Sequence, residues 1–119
     1  MREAPRRIVL AVAVTLVVSS CGSPPIGRDL PWAFADAQPV FDQRVKERFP
    51  VGASEQQLVT ELRKEGFNLD PKNVGRTEFK SAAAYELRGL PCTLYWTILW
   101  NAESGGITAI KGKYDSACL

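Results

Sequence analysis

Apolar positions along residues 39–119 follow a helical period first and an extended one afterwards. Phe41, Val45 and Phe49 recur at i, i+4 and i+8 as one helical stripe, with Asp42 and Lys46 spaced to pair at i, i+4. Pro39 fits the first turn of that helix, where its missing N–H costs nothing, and Pro50 ends it. Gly52-Ala53 makes a tight link to a second start. Ser54 followed by Gln57 has capping-box spacing, and the helix it opens turns Leu58 and Leu62 inward, with Val59 at the edge. Gly66 supplies a left-handed position after the last turn, and Phe67 then falls where a Schellman ending packs it on Leu62.

Residues 68–81 are polar, contain Pro71 and Gly75, and read as a loop with room for a short extended piece. Ala83, Tyr85 and Leu87 then alternate with Ala84, Glu86 and Arg88 as a first strand, and Gly89-Leu90-Pro91 turns the chain. Residues 92–101 carry the strongest strand signal, rich in β-branched and aromatic side chains. Cys92, Leu94, Trp96, Ile98 and Trp100 alternate with Thr93, Tyr95, Thr97, Leu99 and Asn101, so the two sets face opposite ways. Ser104-Gly105-Gly106 reads as a three-residue hairpin loop, and a last strand starts at Ile107 and runs to about Tyr114.

Trp96, Trp100, Leu94 and Ile98 need a cover, and the two helical stripes are the apolar surfaces available. The expected fold is α+β: two N-terminal helices packed on one face of a three-stranded antiparallel sheet, in the order α-α-β-β-β and in two layers. The other sheet face is then expected to be open.

Upstream, the pattern changes kind. Residues 1–7 are basic, residues 8–18 form an eleven-residue apolar run, and Ser19-Ser20 follow. This is the layout of a secretory signal and too short for a stable membrane span. Arg2, Arg6 and Arg7 against Glu3 account for the whole formal charge of +2. The rest of the chain is neutral, which leaves no electrostatic reason to bind nucleic acid. Val18-Ser19-Ser20-Cys21 resembles the lipobox of bacterial lipoproteins, whose Cys carries diacylglycerol as a thioether and becomes residue one. The resemblance implies a signal peptide over 1–20, acylation of Cys21 (palmitate among the acyl groups), and a membrane partner through that anchor. Burial of acyl chain is worth about 0.8 kcal/mol per CH₂, and two or three chains hold essentially permanently. Residue 22 is Gly and not the Asp that retains many Gram-negative lipoproteins in the inner membrane. Outer-membrane sorting, facing the periplasm, is the expectation by analogy. Residues 21–38, with three prolines and two glycines from 22 onward, read as the lipidated N-terminus and a tether, leaving 39–119 as the domain. Trp32 and Phe34 are odd for a linker and are expected to pack back on the domain or sit near lipid.

With Cys21 acylated, Cys92 and Cys118 remain as an even pair in an oxidising compartment, which favours a disulfide. Setting them opposite each other places Trp100 opposite Ile110, Ile98 opposite Gly112 and Trp96 opposite Tyr114, and leaves residues 104–106 as the loop. A bridge of this span is worth roughly 3 kcal/mol by loop closure.

Residues 49–67 (FPVGASEQQLVTELRKEGF) resemble the start of a BamE-like (SmpA/OmlA) lipoprotein domain, in which Gly, an apolar residue, Ser or Thr, two variable positions, Gln or Glu and then Val or Leu open the second of two helices, although Ala53 is smaller than the Met usual at its place. Gly52, Ala53, Ser54, Gln57 and Leu58 hold those places. The family often closes this helix with Leu-Gly-x-Pro, whereas residues 62–67 here add residues and lack the Pro. The resemblance implies a non-enzymatic, lipid-anchored protein-binding or scaffold module in outer-membrane assembly or maintenance. The inhibitor domains that act on β-lactamases have a similar architecture, so a periplasmic inhibitor of a hydrolase is the alternative.

A protein partner would meet the open sheet face, where Tyr95, Thr97 and Leu99 lie beside Lys111, Lys113 and Asp115, with Arg88 and Glu86 from the first strand. Tyr and Arg are favoured at binding hot spots, and Leu99 is expected to be exposed among them. The plainer alternative is a solvated Thr-rich face. No catalytic residue, metal ligand or cofactor is assigned: His is absent, Ser54 and Ser104 are explained by a cap and a turn, and no phosphate cradle appears. Glu61 and Glu65 share a helix face that reads as solvated alongside Arg63 and Lys64.

Overall fold

A computed structural model describes residues 22–71 and 78–119. The signal segment, Cys21 and the part of the polar loop that contains Gly75 lie outside the described residues. Helix α1 spans Phe34–Arg48 and α2 spans Glu55–Lys64; strands β1 (Asn68–Leu69), β2 (Ser81–Leu87), β3 (Cys92–Glu103) and β4 (Gly106–Cys118) follow. The sheet is antiparallel with order β1-β2-β3-β4. It therefore has four strands where three were expected. The addition is the two-residue β1, which pairs with Ala83 and Ala84 of β2. A strand that short has too little pattern to be seen in sequence.

Helix α2 forms as its local chemistry dictates. Ser54 Oγ accepts from the Gln57 N–H at 3.2 Å, although Gln57 sends its own side chain to Glu61 instead of closing the box. At the far end the Phe67 N–H donates to Leu62 O and the Gly66 N–H to Arg63 O, with Gly66 at φ 91°, the Schellman pattern. Helix α1 begins five residues earlier than Pro39, which sits inside it. Pro39 cannot donate the i→i−4 hydrogen bond at its position, and contacts elsewhere hold the added turn. Ala37 is fully buried and the Phe34 ring lies 4.9 Å from that of Tyr114.

The β3–β4 register is the expected one from Cys92↔Cys118 through Trp96↔Tyr114, Ile98↔Gly112 and Trp100↔Ile110, and the disulfide joins Cys92 to Cys118. The loop differs. Glu103 pairs with Gly106, so only Ser104 and Gly105 turn the chain, at φ 50° and 79°. Two positive φ values match the right-handed twist of a hairpin, which a three-residue loop serves less well. The odd residue is taken up by a bulge in β4, where the register shifts between Asn101 and Ala102. That shift keeps both Ile107 and Ile110 buried in the core.

One cluster joins Phe41, Val45 and Phe49 to Leu58, Leu62 and Phe67, and to Trp96, Ile98, Trp100, Ile107 and Ile110 of the sheet. Helix α1 can lie close along β4 because residue 112 is Gly: a Cβ there would come within 2.8 Å of Val45 Cγ2 and 3.1 Å of the Phe41 ring. The helix also closes the free edge of β4. The Gln38 side-chain amide donates to Gly112 O at 2.9 Å and accepts from the Tyr114 N–H at 2.6 Å, while Asp42 accepts from the Gly112 N–H at 2.9 Å. An amide side chain carries the same donor and acceptor as a peptide group and so substitutes for a neighbouring strand. Nearer the hairpin, residues 52–55 do the same with backbone: the Gly52 N–H donates to Ile107 O, the Ile107 N–H to Ala53 O and the Glu55 N–H to Gly105 O.

Gly112→Ala forces a methyl group between Phe41 and Val45. It is expected to lower unfolding free energy by about 1–3 kcal/mol, read from urea denaturation, with the disulfide intact.

Candidate functional site

Tyr85, Trp96 and Tyr114 are cross-strand neighbours on β2, β3 and β4, and their rings form a row across the sheet. Tyr85 meets Trp96 edge-on at 5.8 Å between centroids, and Trp96 stacks on Tyr114 at 5.2 Å. Phe67 extends the row beyond Tyr85 at 5.7 Å, and Phe34 extends it beyond Tyr114. Burial pushes the Tyr114 phenol above its ordinary value of 10.0. The fold thus favours the neutral phenol; that contribution is full at neutral pH and is lost as the pH rises through the raised value.

The row is covered by the segment expected to be a tether. Tyr85 Oη donates to Gly22 O at 3.1 Å, and Pro24, Ile26 and Gly27 are buried. A 3₁₀ turn at Pro25–Gly27 carries the chain past Trp96, and a Cβ on Gly27 would come within 2.4 Å of Trp96 Nε1. The Arg44 guanidinium of α1 holds the outer side by donating to the carbonyl oxygens of Ile26 and Asp29, each at 3.4 Å, and to that of Arg28. Residues 22–30 are therefore a docked strap, and the tether reading is corrected. Its signal in sequence is weak: two apolar residues, Pro24 and Ile26, next to a glycine, and an aromatic row needing more cover than two helices supply. Trp96 is 1% exposed, yet among the described residues its Nε1–H has no hydrogen-bond partner. Trp100 Nε1, by contrast, donates to Glu55 Oε2 at 2.8 Å. Phe34 packs back as expected, whereas Trp32 is 99% exposed.

On the opposite face the register brings the predicted contact residues together. Tyr95 pairs with Asp115 and Glu86, Thr97 with Lys113, and Leu99 with Lys111. Arg88 follows the end of β2 and pairs with Glu86 at 3.1 Å. The expectation of an open face with an exposed leucine fails at its centre. Leu99 is 5% exposed, Ala82 beside it 2% and Thr97 9%, although Leu99 and Ala82 lie outside the main core cluster. A leucine on the central strand has neighbours on both sides, and here it is not available as an apolar anchor. Tyr95 is half-buried, and Lys111 and Lys113 are exposed.

The remaining polar clusters have structural partners. Arg48 donates to Glu65 at 2.8 Å and to Glu61 at 3.3 Å, tying α1 to α2, so the two glutamates are not simply a solvated face. An open cleft between the strap and α1 is lined by Arg28, Asp29, Arg44, Glu47 and Arg48, but Arg44 and Arg48 are already engaged. Among the described residues no group of three Cys, Asp or Glu could hold a metal ion, and no helix is long and apolar enough to cross a membrane. Comparison with protein-family models, with curated proteins and with solved structures finds no match.

Gly27→Val places two methyl groups into the Trp96 indole and is expected to lift the strap. The variant should be cut by trypsin at Arg28 under conditions that leave the parent whole, and acrylamide should quench its tryptophan emission more strongly.

Proposed function

We propose that this chain is a lipid-anchored cell-envelope protein without catalytic activity of its own, acylated at Cys21 and acting as a protein-binding or scaffold module of BamE-like type. In this reading it is attached to the outer membrane, faces the periplasm, and stacks its two helices on the sheet as two layers. The observation that carries it is the order of a basic start, an apolar run, Ser19-Ser20 and Cys21 ahead of a compact, disulfide-closed α+β domain. The disulfide supports an oxidising compartment, and the shared core of α1, α2 and β3 supports the layered arrangement.

The partner surface in this reading is the sheet face opposite the strap. Its polar members Tyr95, Thr97, Lys111, Lys113 and Arg88 supply the contacts, since the strap fills the aromatic side. With Leu99 buried, binding there is polar, hydrogen-bonded and salt-sensitive. The inhibitor alternative draws no support from the hairpin tip. Glu103, Ser104 and Gly105 carry no bulky projection, and Gly105 O is already accepting from the Glu55 N–H.

Mass spectrometry of the mature chain from membranes is expected to show residue 21 as the first residue, carrying diacylglycerol. Cys21→Ser should abolish the acyl mass and release the protein from the membrane fraction; an intact N-terminus at Met1 with an unmodified Cys21 would end this reading. Crosslinked envelope complexes should be lost in the pair Tyr95→Ala and Lys113→Glu and kept in Val51→Ser at the far end. Full recovery in the first pair would remove the sheet face as the partner site.

A further inference from the structure

Two strongly exposed apolar side chains lie in the β2–β3 turn and just ahead of α1, and the start of the domain is fastened to β2. Leu90, in the turn between β2 and β3, is 86% exposed, and Trp32, two residues ahead of α1, is 99% exposed. Phe34, 41% exposed, fixes the approach to α1 on the Tyr114 ring, in the same cross-strand row as Trp96 and Tyr85. Tyr85 lies two residues from the end of β2 that leads to Leu90, and its hydroxyl holds the carbonyl of Gly22. The hairpin of Ser104 and Gly105 is at the other end of the ribbon, beside residues 52–55.

Resting on the reading of Cys21 as the acylated residue, we propose that the end of the sheet bearing Trp32 and Leu90 sits on the phospholipid surface, held there because the docked strap leaves no free tether. Residue 21 is one peptide unit, about 3.8 Å between Cα atoms, from a residue bonded to the sheet. A flexible chain over the 17 residues 22–38 would instead reach roughly 23 Å on average and let the domain turn freely. With the strap docked, the bilayer surface lies next to Tyr85 and the nearby end of β2. An indole prefers the headgroup level, and a Trp and a Leu as exposed as Trp32 and Leu90 gain by entering it. Val51, exposed beside the link at the opposite end, stays in water. The anchor and these side chains are then two membrane signals acting together, and the strap sets the angle between them.

The test uses the acylated full chain purified in detergent and reconstituted into phosphatidylethanolamine–phosphatidylglycerol vesicles, with acylation first verified by mass. Trp96 and Trp100 are buried, so the quenchable emission belongs to Trp32 and is assigned by its loss in Trp32→Phe. Lipids spin-labelled near the headgroup should quench that emission, and aqueous iodide should quench it less than in the same protein kept in detergent. Inserting about twenty Gly and Ser residues between Cys21 and Gly22 leaves the strap docked but frees the domain, and should abolish lipid quenching while the acyl mass remains. Two results would overturn the orientation and leave the lipoprotein reading standing: an acylated chain whose Trp32 is reached by iodide and not by lipid, or quenching that persists with the long spacer. A chain without acyl mass would overturn both.

Discussion

A slip of one residue between β3 and β4 would turn Ile110, Gly112 and Tyr114 out of line with Trp100, Ile98 and Trp96, and neither the seat of α1 nor the aromatic row could then form as it does. Gly112 opposite Ile98 is the gap into which Phe41 and Val45 settle. Tyr114 opposite Trp96 is the platform on which the strap lies and against which Phe34 begins α1. Two constraints hold the register from opposite ends. The Cys92–Cys118 disulfide fixes it at one end, and the two-residue turn with its bulge fixes it at the other. The bulge also solves a parity problem: Ile107 and Ile110 are an odd number of residues apart, and both reach the core only because one residue between them drops out of the pairing.

The limits of reading this fold from sequence follow from the range of the forces involved. Helix α2 is bounded by its own cap and its own glycine, and both boundaries are visible in residues 54–67. The long ribbon is legible because strict alternation and two cysteines impose the same pairing. The first turn of α1 is not, because Phe34, Ala37 and Gln38 are held by Tyr114, the core and Gly112, more than seventy residues away in the case of the Gln38 bond. Residues 22–30 fail for the same reason. Their prolines and glycines describe a flexible segment locally, and the Arg44 guanidinium and the Trp96 indole that order them are distant in sequence. Of the proposed contact face, the register was legible and the burial was not: pairing partners of Leu99 follow from alternation, whereas its 5% exposure depends on three-dimensional cover.

Edge strands invite pairing with other chains, and β4 is an edge strand of thirteen residues. Its inner stretch is closed by backbone from residues 52–55, and its middle by Gln38 and Asp42. The same helix therefore buries Phe41 and Val45 and seals the edge with Gln38 and Asp42, an arrangement that needs polar and apolar stripes side by side on α1. Asp42 has a second role, accepting from Lys46 at 2.8 Å through its other oxygen, which keeps the carboxylate aligned on the Gly112 amide. The strap does for the aromatic row what these residues do for the edge: it spends the chain's own segments on surfaces that would otherwise be adhesive.

That economy bears on how such a protein could bind anything. With the aromatic row covered and Leu99 buried, the polar sheet face lacks the large desolvated anchor from which most binding energy comes. A surface of Tyr95, Lys111 and Lys113 therefore favours fast, weak and salt-sensitive association over a long-lived complex. Weak association suffices when both partners are confined to one membrane, because attachment replaces a dilute three-dimensional search by a high local concentration. The gain holds only if the face is presented at a usable height and angle, since linked sites that cannot engage together gain nothing. A strap that is short, docked and bonded at its first described residue provides that geometry, and a flexible tether of the same length would not. On the proposed acylation of Cys21 and the proposed contact face, the two are requirements of one design: an anchor would supply the affinity that a polar surface gives up.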